Sequence, residues 1–121
     1  MSKKIVVINQ EVTRVSSQYD YDGAVKDIDS LFILLQKTKD VVIEHKSDFP
    51  NTKKVMLKIR TLSKLIKILS ELRVAMLNIK VTSTMGGNHV SNIIDNYRVV
   101  KQSIFIEVNH VQDITAVAIH E

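Results

Sequence analysis

The stretch KKVMLKIRTLSKLIKILSEL, residues 53–72, is the most informative part of this 121-residue chain. When it is plotted at about 100° per residue, its apolar side chains cover an arc of roughly 200°. A helix that rests on one surface needs an apolar stripe only a little wider than about 100°. We therefore predict a helix over residues 53–72 that is buried on two sides, against the protein's own sheet and against another helix or subunit.

The surplus of apolar surface on this helix favours a homo-oligomer, either a dimer or a larger assembly. The side chains that we expect at the interface between subunits lie within the arc and are Ile59, Leu62, Ile66 and Leu69. A neighbouring helix of the same chain could cover the second side instead, and the pattern alone leaves both possibilities open.

A first helix is predicted before this stretch, from about Gly23 to Glu44, because apolar residues recur there at helical spacing. Pro50 separates the two helices, since the residue before a proline is pushed out of the helical region. Asn51 or Thr52 follows, and either side chain can cap the second helix by accepting a hydrogen bond from a free backbone N–H group.

The remaining segments carry patterns typical of strands. β-branched residues dominate residues 4–15, apolar and polar residues alternate in 75–81 and 98–108, and a last apolar segment covers 114–120. Residues 89–97 fit either a short helix or a strand. The predicted order is β-α-α-β-β-β, an antiparallel sheet with two long helices packed on it. We expect a single two-layer α+β domain over the whole chain.

Composition limits the class of protein. With 45% apolar and 25% charged residues, the chain is typical of a globular domain and unlike a disordered one. The absence of cysteine excludes disulfides, thiolate zinc sites and cysteine nucleophiles. The sequence has no apolar run long enough to span a bilayer and no secretory-signal pattern, so we expect a cytoplasmic protein with no membrane partner.

Positive charge is concentrated in one segment. The net charge of the chain is +4, but residues 51–80 hold eight basic residues against one acidic residue. Lys53, Arg60, Lys64 and Lys67 fall within a sector of roughly 60° on the side opposite the apolar arc, and such a face attracts phosphate groups. The competing interpretation is a solvated face whose charge is neutralised by the acidic residues around the start of the first helix, which are Asp20, Asp22, Asp27 and Asp29.

A ligand site can be predicted from this face together with the glycine-containing segment that follows. Arg60 can hold a phosphate in a fixed direction through its planar guanidinium. Consecutive backbone N–H groups at Gly86-Gly87 can form an anion-binding nest, although a mobile hairpin connection would have the same composition. The side chains that we expect to bind the ligand are Arg60, Lys64, Asn88, His89 and Asn92.

Sequence signs of catalysis are weak. The four histidines are His45, His89, His110 and His120, and no two of them have the i, i+4 spacing of a helical zinc site. The chain has no nucleophile-elbow, P-loop or dinucleotide-binding glycine pattern. We therefore expect a binding protein that is not an enzyme and that uses neither a cofactor nor a metal ion.

The order of parts over residues 53–109 resembles that of the phage Thoeris anti-defence sponge proteins. Arg60 on the second of two long helices, followed by a Gly/Asn loop between C-terminal strands, carries the resemblance. Proteins of that family form homo-oligomers that sequester cyclic ADP-ribose-type signals made by bacterial immune enzymes, without cleaving them. The resemblance implies that Arg60 contacts phosphate, that Asn92 contacts the base or ribose, and that Arg98 is a second arginine of the site. It also implies a phage-encoded protein in the cytoplasm of a bacterial host.

Three hypotheses on function follow. The first is a non-enzymatic homo-oligomer that sequesters a small phosphate-bearing, nucleotide-type signalling ligand. The second is a phage or plasmid accessory protein that docks on another protein through its apolar helix face. The third is a small nucleic-acid binder that uses the basic helix residues and whose affinity falls steeply with salt.

Overall fold

Three long helices that pack against one another make up the part of the chain described by the computed structural model, residues 21–82 and 87–119. The helices are α1 (Tyr21–Glu44), α2 (Thr52–Thr82) and α3 (Gly87–Thr115), with a short 3₁₀ helix at Lys46–Asp48. Side chains are described for residues 23–78 and 91–119. No strand occurs among the described residues, so the predicted α+β fold with an antiparallel sheet is wrong. The architecture is a three-helix bundle, and the first predicted strand, residues 4–15, lies outside the described residues.

The bundle forms because each helix has a buried stripe that repeats every three or four residues. In α1 the stripe consists of Ala24, Ile28, Leu31, Leu35, Thr38 and Val42. In α2 it consists of Leu62, Leu65, Leu69, Leu72 and Met76, and in α3 of Ile104, Val108, Val111 and Thr115. This spacing keeps the apolar side chains on one face, as in other bundles of closely aligned helices. The buried hydroxyl of Thr38 is satisfied, since it donates to the carbonyl of Leu34 at 2.7 Å.

The second helix is longer than predicted, because α2 continues through the strand predicted at residues 75–81. Met76 is fully buried and lies four residues after Leu72, in phase with the core stripe, whereas Ala75 and Leu77 are only half-buried. A strand with Ala75 and Leu77 in the core would turn Met76 to the opposite face. Although α2 has 31 residues, neither it nor the other helices in the described ranges has the apolar window needed to span a bilayer.

The strand predicted at residues 98–108 is helical as well, and so are the ambiguous residues 89–97. In a strand, Ile104, Ile106 and Val108 would share one face. In the structure Ile104 and Val108 are fully buried, but Ile106 between them is 59% exposed. Only a helix gives this arrangement, because positions four residues apart lie on the same side.

The last predicted strand, residues 114–120, is replaced by the end of α3 and a short return of the chain. Ala116 leaves the helix with a positive φ of 61°, and its N–H donates to the carbonyl of Gln112 at 2.8 Å. Three residues later the N–H of Ile119 donates to Gln112 Oε1 at 2.7 Å, and the Ile119 side chain is buried. The segment after α3 therefore covers the core without pairing as a strand.

The junction between α1 and α2 agrees with the sequence prediction. Helix α1 ends at Glu44, as predicted, and α2 begins at Thr52, two residues after Pro50. Asn51 is the capping residue, because its Oδ1 accepts a hydrogen bond from the N–H of Lys54 at 2.9 Å.

A polar cluster fixes α1 against α3. Tyr97 is buried, and its hydroxyl donates a hydrogen bond to Asp27 Oδ2. Lys101 Nζ donates to the same oxygen at 2.7 Å and lies 5.8 Å from the centre of the Tyr97 ring, within the range of a cation–π contact. These three side chains hold two segments together that are 70 residues apart in sequence.

Candidate functional site

The basic residues predicted on the second helix form an exposed row on α2. Lys53, Arg60, Lys64 and Lys67 are all exposed, and we call these four residues the basic face. At 1.5 Å per residue the row extends about 21 Å along the helix. The chain therefore presents four cations in a line on its surface.

Asp27 and Asp29 near the start of α1 pair with cations outside the basic face. Asp29 Oδ1 accepts from Arg73 Nε at 2.9 Å, and Asp27 accepts from Lys101 on α3. In the described part of the chain, no ion pair joins the basic face to an acidic side chain. The side chains of Asp20 and Asp22 lie outside the described residues. The competing interpretation of a neutralised face thus finds no support in Asp27 or Asp29.

The residues predicted to bind one ligand are not brought together within the chain. Lys58 on α2 contacts Glu107 on α3, so these two residues lie at the same level along the bundle axis. Asn92 lies 15 residues before Glu107 on α3, about 20 Å along the bundle from that level, whereas Arg60 lies close to it. The exposed Arg98 lies 3.9 Å from Asp95.

The loop part of the predicted site also differs from expectation. Residues 87–89 belong to the first turn of α3, and no glycine among the described residues has a positive φ. The predicted nest would need such a conformation at Gly87, and Gly86 lies outside the described residues. The side chains of Asn88 and His89 are likewise outside the described set, so their predicted contacts stay predictions.

The residues predicted at an interface between subunits lie in or against the core of a single chain. Leu62 and Leu69 have no exposed surface, while Ile59 and Ile66 are half-buried against the same core. Helices α1 and α3 both pack against α2 and cover most of its wide apolar arc, which is the alternative that the sequence left open, although Leu57 stays 53% exposed. The homo-oligomer stays a prediction, and it would need a surface other than Leu62 and Leu69.

A groove that the sequence analysis did not predict lies between the start of α2 and the end of α3. Its volume is about 430 Å³, and it is lined by Phe49, Pro50, Lys54, Leu57, Lys58, Thr61, Glu107, His110 and Ile114. Lys58 Nζ lies 2.6 Å from Glu107 Oε1 and 2.7 Å from His110 Nδ1. We call this site the α2–α3 groove. In sequence, Lys58 is 49 positions from Glu107 and 52 positions from His110. No local sequence pattern could therefore have predicted that these residues meet.

Histidine and carboxylate side chains meet only in small groups in the described part of the chain. His45 Nδ1 lies 3.3 Å from Asp48 Oδ2, one turn away, and His110 contacts Lys58. Among the described residues, no group of three or more potential ligands could hold a metal ion.

Comparison with known proteins gives no match to a family model, to a curated protein or to a solved structure. The resemblance to the Thoeris anti-defence sponge proteins depended on a loop between C-terminal strands, and residues 87–115 form one helix instead. Sequestration of a cyclic ADP-ribose-type signal therefore stays a prediction from the sequence.

Proposed function

We propose that this chain is a non-enzymatic binding protein and that its basic face on α2 holds an extended polyanion, a nucleic acid. One observation carries the proposal: four exposed cations lie in a row of about 21 Å, and none of them is paired with an acid among the described residues. A cation without a partner in the same molecule is free to exchange its counterions for a phosphate group.

The length of the basic face favours an extended ligand over a single nucleotide. Duplex DNA carries one negative charge per about 1.7 Å of its axis, so a row of this length faces several phosphates at once. Arg60 adds a planar guanidinium that can hold one phosphate through two hydrogen bonds. The three lysines contribute charge with little directional preference.

Such binding depends mainly on electrostatics and has low sequence specificity. Aromatic residues are only 5% of the chain, and the basic face itself contains none, so bases have no stacking surface there. The phosphate backbone then supplies most of the affinity, and affinity must fall with added salt.

Fluorescence anisotropy with labelled duplex DNA at increasing salt tests this proposal. If all four cations contact phosphates, the logarithm of the binding constant falls against the logarithm of salt concentration with a slope of about −3.6. The double variant Arg60→Glu, Lys64→Glu should bind more weakly and reduce the slope to about −1.8. Binding that is absent at low salt would contradict the proposal.

A matched control separates the basic face from net charge. Lys26 and Lys37 are exposed on α1, and the double variant Lys26→Glu, Lys37→Glu changes the net charge by the same amount. This variant should leave the slope unchanged, because neither lysine belongs to the basic face. Equal slopes in the two double variants would mean that the face has no specific role.

Sequestration of a small nucleotide-type ligand is the second candidate, because Arg60 and Lys64 lie one turn apart and can hold one phosphate between them. A thermal-shift measurement with nucleotides and cyclic dinucleotides tests it. A ligand at about 100 times its Kd should stabilise the protein by roughly 2.7 kcal/mol. A shift that is lost in Arg60→Glu, Lys64→Glu supports this candidate, and no shift with any of these ligands contradicts it.

A further inference from the structure

The α2–α3 groove combines an apolar lining with a small group of charged side chains. Phe49 and Ile114 supply apolar walls, and Leu57 lines the groove while 53% of its surface is exposed to solvent. A volume of about 430 Å³ falls in the range of sites that hold small organic molecules. An apolar ligand in this groove would remove the exposed surface of Leu57 from water, which is favourable.

The charges in the groove leave an excess of cations. Glu107 is its one acidic group, and its Oε1 already accepts from Lys58 Nζ at 2.6 Å. Lys58 is only 13% exposed, and its ammonium group has three donors, of which Glu107 and His110 take two. Lys54 lines the same groove, is exposed and has no ion-pair partner among the described residues.

The contact between Lys58 and His110 also fixes the imidazole. An ammonium group can only donate, so His110 Nδ1 must accept in the 2.7 Å contact. The neutral ring then carries its proton on Nε2 and keeps a donor available. The groove therefore offers donors from Lys54, Lys58 and His110, and its one carboxylate is already engaged.

We infer that the α2–α3 groove binds a small organic anion with an apolar body, such as an aromatic or branched-chain carboxylate. The apolar body lies against Phe49, Leu57 and Ile114, and the anionic group takes the free donors of Lys54 and Lys58. This site is distinct from the basic face, since none of its lining residues belongs to that face and Lys54 and Lys58 lie about 80° or more around the helix axis from each of its four members. It is therefore independent of the proposed binding of nucleic acid.

The aromatic sulfonate 8-anilinonaphthalene-1-sulfonate is a suitable probe, because it joins an apolar ring system to one anionic group. Titration of the ¹⁵N-labelled full chain, followed by ¹H–¹⁵N correlation spectra, should give saturable shifts concentrated in residues 49–61 and 107–114. Fluorescence titration gives the affinity of the same complex. Shifts that spread over the whole bundle, or that centre on another face, would overturn the inference.

Two variants test the apolar and the charged parts of the groove. Leu57→Asp removes apolar contact and adds a negative charge, so it should weaken binding of the sulfonate by at least about tenfold. Ile33→Asp is the matched control, because Ile33 is 71% exposed on α1 and does not line the groove. Equal losses in the two variants would contradict a site at the groove.

The anionic part is tested with Lys54→Glu. This variant should weaken the sulfonate by roughly threefold to tenfold, as expected for an exposed charge contact. Binding of N-phenyl-1-naphthylamine, which has the same rings without the sulfonate, should not change. If Leu57→Asp does not fold, this comparison still decides the question, and an equal effect on both probes would show that the charge plays no part.

Discussion

Arg73 on α2 donates from its Nε to Asp29 Oδ1 on α1 at 2.9 Å. This contact joins a basic residue near the end of α2 to an acidic residue near the start of α1, as an antiparallel pair of helices requires. Asp29 is therefore paired with Arg73, which lies about 20 Å along α2 from Arg60. Because the alignment of α1 with α2 pairs Asp29 with Arg73, this carboxylate does not neutralise the basic face. The positive charge of the basic face stays available to a ligand.

Asp27 and Asp29, two of the carboxylates of α1, should differ in their effect on stability. Asp27→Asn weakens the acceptor of the buried Tyr97 hydroxyl and of Lys101, and we expect it to lower the free energy of unfolding by about 1–3 kcal/mol. Asp29→Asn removes a pair whose side chains are 39% and 51% exposed, so its effect should stay below about 1 kcal/mol. Urea unfolding followed by circular dichroism measures both. Equal losses would mean that the cluster at Tyr97 does not fix α1 against α3.

Leu62 tests whether the apolar arc of α2 belongs to the core or to an interface. Its side chain is fully buried in one chain, so Leu62→Ala should lower the free energy of unfolding by about 2–5 kcal/mol. Leu57→Ala, on the same helix but 53% exposed, should have a much smaller effect. The measurement is urea unfolding at several protein concentrations, together with the solution mass from light scattering. A midpoint that rises with concentration, with a mass above one chain, would support the predicted homo-oligomer.

Substitution of Val99 by alanine distinguishes the observed helix from the predicted strand, because the two structures predict stability changes of opposite sign. It is 62% exposed on α3, and alanine has a higher helix propensity than valine, so Val99→Ala should raise stability by about 0.5 kcal/mol. In a strand the same change would lower stability, because valine is favoured there. Val108→Ala on the same helix is the buried control and should lower stability by about 2 kcal/mol. A loss of stability in Val99→Ala would contradict the helical assignment.

The sequence predicted the first half of the bundle better than the second for a physical reason. In α1 the apolar residues Ile28, Leu31 and Leu35 recur at intervals of three and four residues, and although Ile33 is exposed, the unbroken apolar run at 31–35 does not alternate with polar residues as a half-buried strand would. In α3, exposed Ile106 lies between the buried residues Ile104 and Val108 and completes an alternating pattern that also suits a strand. The spacing of Ile104, Val108 and Val111 was the signal for a helix, but apolar residues on the outer face obscured it.

The candidate sites were predictable to different degrees. The basic face follows from helical periodicity alone, because its residues lie on one helix and need no tertiary contact. The α2–α3 groove depends on a contact between Lys58 and Glu107, which are 49 residues apart, and such pairs follow from the packing of whole helices. The predicted ligand site failed to come together for the same reason, since the positions of Arg60 and Asn92 depend on how α2 and α3 align.

The end of α3 offers a stabilising substitution. Ala116 has a φ of 61°, a left-handed conformation in which a Cβ atom is crowded by the backbone and which glycine adopts freely. Ala116→Gly should therefore raise the free energy of unfolding by up to about 1 kcal/mol, reduced somewhat because glycine also gains entropy in the unfolded chain. Ala118→Gly is the matched control two residues further on, and it should not stabilise the protein, since Ala118 has no positive φ. Thermal unfolding of both variants measures the difference, and a lower stability of Ala116→Gly would mean that α3 does not end in this left-handed turn.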